Sequence, residues 1–109
     1  MIERGALCYA TVVGGLGHDQ GTRPWLVIGR TALATTLGET IALPVTHVSP
    51  PWVYPLCWAV PDGLLPQSSW VLIARPRAIA TERLRAPVAG LTREQLDEIV
   101  LGLRQLIED

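Results

Sequence analysis

Apolar residues recur in short bursts through the first part of the chain: ALCYATVV, WLVIGR, TIALPVTHV, PLCWAV, SSWVLIA and RAIAT, each bounded by Gly, Pro, Asp or Ser. Runs of this length, rich in β-branched and aromatic residues and cut by turn formers, predict strands. They follow one another too closely for crossover helices, so the pattern predicts a small barrel or sandwich instead of βαβ units. Pro61-Asp62-Gly63 marks a turn between two of the strands. After residue 90 the period changes. In LTREQLDEIVLGLRQLIED, Leu96, Ile99, Val100, Leu103 and Ile107 recur at spacings of three and four, which predicts a helix packing one face on the barrel. Thr92 with Gln95 suits a capping box, and Leu91 can staple onto Leu96, so the helix start is well specified. Leu101 and Leu106 widen the stripe, either as a broad core face or as a surface for a partner.

A chain of 109 residues fits one domain, 1–109, with one core. No apolar run approaches the roughly 20 residues that cross a bilayer. Glu3 and Arg4 precede the first apolar run without a small-residue cleavage site, so a cytoplasmic protein is expected. Cys8 and Cys57 sit among apolar neighbours and read as buried free thiols, not as a zinc site or a disulfide framework. The net charge of -1 argues against coating duplex nucleic acid. Its distribution changes that picture, because residues 1 to 90 hold seven arginines against five acids and residues 91 to 109 two against five. Every basic residue is arginine. A guanidinium is a planar fork suited to phosphate or carboxylate, although high-GC coding gives the same composition.

Three segments offer candidate chemistry. GHDQGTRPWLVI, residues 17 to 28, puts His18, Asp19 and Gln20 before Arg23-Pro24. Phosphate-cradling motifs such as GK[ST] after a glycine loop are absent. Pro24 suits the first residue of a strand, which would stand Arg23 at the strand's mouth, as a functional cation or as a solvated or salt-bridged one. In PVTHVSPPW a strand ends at Thr46-His47, where a threonine is usually a turn former. In SSWVLIARPRAIATERL, Ser68 and Ser69 precede a strand and Arg75 and Arg77 flank a proline, as phosphate contacts or as an exposed hairpin tip. Of four indoles, Trp25, Trp58 and Trp70 lie in strand runs and read as core. Trp52, in the PPW loop, suits stacking on a base or meeting an inhibitory partner, with a dimer contact or a packed loop as the plainer alternatives.

The order and spacing of these segments resemble the MazF, Kid and PemK toxins, ribosome-independent endoribonucleases of bacterial toxin-antitoxin pairs. The resemblance spans nearly the whole chain. ERGALCYA is similar to their opening strand, GHDQGTRPWLVI to their "GHEQ" and "RP" elements, and LPVTHV to their "PVT". LPQSSWVLIARPRAIATERL is similar to their serine, strand and "DQ-x-R" stretch, and the final segment to their closing helix. It implies a mainly β (α+β) fold, an SH3-like small β-barrel with a C-terminal α-helix. It further implies a homodimer without metal or other cofactor, cutting single-stranded RNA at short sequence motifs through the ribose 2′-OH. A 2′,3′-cyclic phosphate and a 5′-OH end are the implied products, and a small antitoxin occupying the groove is the implied inhibitor.

By this resemblance Arg23 would hold the scissile phosphate, Thr46 would add a hydroxyl, and His18 would exchange protons. Asp19 and Gln20 would position Arg23 or read bases, while His47, Ser69, Arg75 and Arg77 would contact RNA. The chain departs from the pattern at Ala74, where Kid-like members carry an aspartate regarded as a base, and at Arg75, Ala6 and Cys8. The base then falls to His18 or His47, or the reaction relies mainly on Arg23 and Thr46. A gyrase poison like CcdB, which shares the fold without catalytic residues, and a catalytically inactive SH3-like interaction domain are the alternatives; neither uses the His18, Arg23 and Thr46 constellation. The acidic final segment would repel RNA.

Overall fold

The computed structural model describes residues 2–12 and 21–109. Strands β1 (Ala6–Thr11), β2 (Thr22–Val27) and β3 (Glu39–Thr46) form an antiparallel meander, with helix α1 (Thr31–Leu37) between the last two. Two short strands follow, β4 (Trp58–Ala59) and β5 (Trp70–Val71), then β6 (Arg77–Ala80), a 3₁₀ turn (Thr81–Arg83), β7 (Pro87–Gly90) and helix α2 (Arg93–Ile107). The strand order is β4-β5-β3-β2-β1-β7, and β6 also pairs with β3. One edge of β3 pairs with β2, and its other edge is divided between β6 at residues 39–42 and β5 at Val45 and Thr46, so the sheet forks there and curls into a half-barrel.

The sheet buries both of its faces, which is why β1 to β3 read as nearly continuous apolar runs instead of strict alternation. Leu7, Leu26, Leu43, Val45 and Val71 point into the concave side, where Ile73, Val60, Leu65 and the Leu96 and Ile99 of α2 complete one core. Cys8, Ala10, Trp25, Val27 and Ala42 point to the other side and are covered by Ile79 and Leu84. Complete burial of a leucine such as Leu7 or Leu26 contributes about 1.5–3 kcal/mol each. The predicted capping box at the start of α2 is present: Thr92 Oγ1 accepts from the Gln95 backbone N–H at 3.1 Å, and Gln95 Oε1 accepts from the Thr92 N–H at 2.9 Å. Gly102 lets this helix approach closely, since a Cβ there would stand 3.1 Å from both the Tyr54 ring and Ile73.

Four expectations need correction. Helix α1 buries no side chain and has no side-chain cap, so the apolar period that reveals helices is missing from TALATTL; it stops at Gly38, whose φ of 70° is the left-handed cap. Strand β7 was also outside the predicted runs. Pro24 is the third residue of β2, not the first, because Thr22 and Arg23 already pair with β1. Arg75-Pro76-Arg77 is not a hairpin tip, as Arg77 opens β6 opposite Ala42. Among the described residues, no helix is long and apolar enough to cross a membrane.

Candidate functional site

The register of the central meander decides what gathers at its open end. Strand β2 pairs with β3 as Trp25 with Pro44, Leu26 with Leu43 and Val27 with Ala42. Carried two residues further, the same register sets Arg23 level with Thr46, and directly opposed residues of antiparallel strands share a face. Pro24, lacking an N–H, leaves the ladder open there. The ladder's other side is shut by β1, where Ala10 faces Arg23 and the Thr11 and Thr22 hydroxyls bond to each other.

A cleft of about 450 Å³ opens at this end, lined by Tyr9, Thr22, Arg23, Thr46, His47 and Ser69 among others. Arg23 is half-buried, with its Nε shielded from solvent, so its charge acts in a partly dehydrated setting that strengthens attraction for an anion. Thr46 Oγ1 accepts the Val48 backbone N–H at 3.1 Å, which fixes the hydroxyl and leaves its proton for another acceptor. Ser69 donates to the Gln67 carbonyl at 2.8 Å, so its contribution is to hold the loop wall. His47 is exposed at the rim. The arrangement supplies a fixed cation, an oriented hydroxyl donor and an imidazole in one concavity, the set that an anionic oxygen centre calls for.

The structure does not bring every candidate here. Arg77 belongs to the β6 ladder, and Arg75 lies with its guanidinium 5.3 Å from the centre of the Trp52 ring. His18, Asp19 and Gln20 lie outside the described residues. Cys8 is in the core, and burial pushes the thiols of both cysteines up, so neither is a thiolate nucleophile at neutral pH. Among the described residues no group of three or more His, Cys, Asp or Glu is placed to hold a metal ion.

Sequence reasoning missed Tyr9 and Gln67, which line the cleft, and misplaced one indole. Trp70, expected in the core, is half-buried and absent from it, whereas Trp58 packs against the core from its edge; both line a second groove of about 440 Å³ with Trp52, Tyr54, Cys57 and Glu98. The signal that would have found Trp70 is the β3 to β5 register, which pairs it with Thr46.

Comparison with known proteins identifies the family and the fold. The family model described as PemK-like, MazF-like toxin of type II toxin-antitoxin system matches residues 3–107. Among solved structures, MazF from Deinococcus radiodurans is similar at 27% identity, with a TM-score of 0.82, over 99% of this chain and 97% of that one. MazF bound to MazE from the same organism is similar at 28% identity, with a TM-score of 0.79, over 97% and 95% of the two chains. An endoribonuclease in complex with its cognate antitoxin from a Mycobacterial species shares the fold at 19% identity and a TM-score of 0.76, over 96% and 93%. No curated protein matches the sequence.

Proposed function

Because the chain belongs to the PemK-like, MazF-like toxins of type II toxin-antitoxin systems, we propose that it is a metal-independent endoribonuclease that cuts single-stranded RNA in the cleft holding Arg23 and Thr46. The observation that carries the reading is the placing of a half-buried guanidinium and an oriented hydroxyl on neighbouring strands of one concavity. Homologues solved with a bound antitoxin support a cognate antitoxin as the protein partner.

In the proposed reaction the 2′-oxygen attacks the adjacent phosphorus while its proton passes to a base. The bond from phosphorus to the 5′-oxygen then breaks, and an acid returns a proton to that oxygen. A 2′,3′-cyclic phosphate and a 5′-OH end result. Arg23 holds the non-bridging oxygens, where negative charge grows, and needs no proton transfer to do so. Thr46 donates its free hydroxyl proton to the same phosphate. With Ala74 where Kid-like members have an aspartate, the base is an imidazole, His47 at the rim or His18, unless Arg23 and Thr46 carry the reaction mainly by charge stabilisation. Asp19 and Gln20 are assigned to positioning Arg23 or reading bases, and Arg75 and Arg77 to RNA contact. The working form is proposed to be a cytoplasmic homodimer.

The test is incubation of the purified protein with a long single-stranded RNA in EDTA, beside Arg23→Ala, with the fragment ends mapped. Cuts that persist in chelator, carry cyclic phosphate ends and vanish with the substitution are expected. Intact RNA together with gyrase inhibition would instead mark a poison of the CcdB type.

A further inference from the structure

A row of side chains crosses the sheet at the level of the cleft. Ala10 faces Arg23 on β2, Arg23 stands level with Thr46 on β3, Thr46 faces Trp70 on β5, and Trp70 faces Ala59 on β4. Opposed residues share a face and neighbouring strands lie about 4.8 Å apart. Trp70 is therefore rooted one strand beyond the Thr46 hydroxyl and two beyond Arg23. Its neighbour Ser69 lines the cleft, while Trp70 itself lines the second groove, so β5 forms the border between the two.

That groove is preorganised. The Tyr54 hydroxyl donates to the Glu98 carbonyl at 2.6 Å, and Trp58 Nε1 donates to Glu98 Oε2 at 3.3 Å, so two aromatic rings are tied to one turn of α2. Gly102 admits the Tyr54 ring against the helix. Arg75 rests over Trp52, which lines the groove, a cation on an aromatic face. Half-buried indoles bordered by guanidinium groups make a surface on which unpaired bases stack while their phosphates find charge.

We propose that this groove is a nucleobase site, in which Trp70 stacks on the unpaired base beside the phosphate held by Arg23 and Thr46. The Glu98 carboxylate accepts hydrogen bonds and donates none, so at the position of the exocyclic group the site favours an amine over the O4 carbonyl of uracil, whose lone pairs it would repel. This rests on the RNA-cleaving reading above. What selects a nucleotide over a peptide as occupant is continuity: the groove begins at the strand partner of the hydroxyl assigned to the phosphate, and Arg75, stacked on the Trp52 that lines it, offers a further cation beside it.

The experiment uses a short RNA that the full-length protein cuts once, with each base flanking the cut removed in turn. Trp70→Ala is expected to raise KM about ten- to a hundredfold with kcat largely kept, the range of one stacked base. Removing the stacked base should cost the wild type a comparable factor and the Trp70→Ala protein nothing more. Trp70→Phe should recover most of the loss and Trp70→Leu should not, a comparison that stands if the alanine variant fails to fold. Glu98→Gln should narrow the preference against uracil at that position. Independent, multiplying losses from the variant and the missing base, equal behaviour of the Phe and Leu variants, or an unchanged RNA KM with lost antitoxin affinity would each overturn the proposal. Should the wild type cut no RNA, the nuclease reading fails first; binding of a strand with a 2′-deoxy nucleotide at the cut then reads the groove alone, and equal affinity of wild type and Trp70→Leu overturns it.

Discussion

The cleft and the aromatic groove lie on either side of β5 and are built in opposite ways. The cleft is a product of main-chain register: Arg23 and Thr46 come level because two strands pair in step, and β1 braces them from outside. The groove is a product of side-chain packing against α2, where Tyr54 and Trp58 are fastened to Glu98 and the helix approaches through Gly102. The first should therefore tolerate loss of its side chains without loss of fold. The second should tolerate it less at Tyr54 and Trp58, because those walls are also where the helix is anchored.

Substitutions can break that contrast. The largest effect is expected from Arg23→Ala, which should lower the cleavage rate about 10²- to 10³-fold, the cost of one charge-stabilising donor, while the thermal melt stays near that of the wild type. A parallel collapse of the melt would show that Arg23 is a structural ion. Gly102→Val should do the reverse, costing about 1–3 kcal/mol in urea unfolding through overpacking against Tyr54 and Ile73, with kcat at saturating RNA retained.

Smaller changes sharpen the contrast. Thr92→Ala removes the capping box and should cost about 1 kcal/mol of unfolding free energy, read from the same urea curves, without touching kcat. Tyr54→Phe, which deletes only the hydroxyl bonded to the Glu98 carbonyl, should cost about 0.5–1.5 kcal/mol, measured by chemical denaturation. The smallest effect is on pH. Burial pushes the Cys8 and Cys57 thiols up in the folded state, so they are neutral in both states below the ordinary thiol pKa of about 8.5. Above it the unfolded chain releases protons that the folded one keeps, and stability should fall as pH rises. A Cys8→Ser, Cys57→Ser protein should lose that alkaline slope in melts taken at successive pH values.

How much was legible in the sequence follows from the same division. Helix α2 announces itself because its stripe, its Thr92 cap and its Gln95 partner all agree. The β1 to β3 meander is legible because burial on both faces demands long apolar runs. Helix α1 escapes notice because nothing in TALATTL needs to be buried; the geometry of the connection and Gly38 produce it. Strand β7 is diluted by Pro87 and Gly90 and pairs with β1 across an irregularity at Leu7 and Cys8, so its residues carry little strand signal of their own. Within the site, Arg23 and Thr46 were readable from motif order, whereas Trp70 was not, since an indole in an apolar run looks like core until the pairing partner is known. Trp52 was correctly put outside the strands, but its partner Arg75 sits some twenty positions further along the chain, beyond the reach of local patterning.

The open ladder between Arg23 and Thr46 also bears on how such a chain can change over generations. Strand parity is binary, so inserting or deleting a single residue between Arg23 and Val27 would move the guanidinium off the face it shares with Val27 and away from Thr46. Changes of length are thus better borne by the connections, while the strands that carry Arg23 and Thr46 are held to a fixed count even where individual side chains are free to drift.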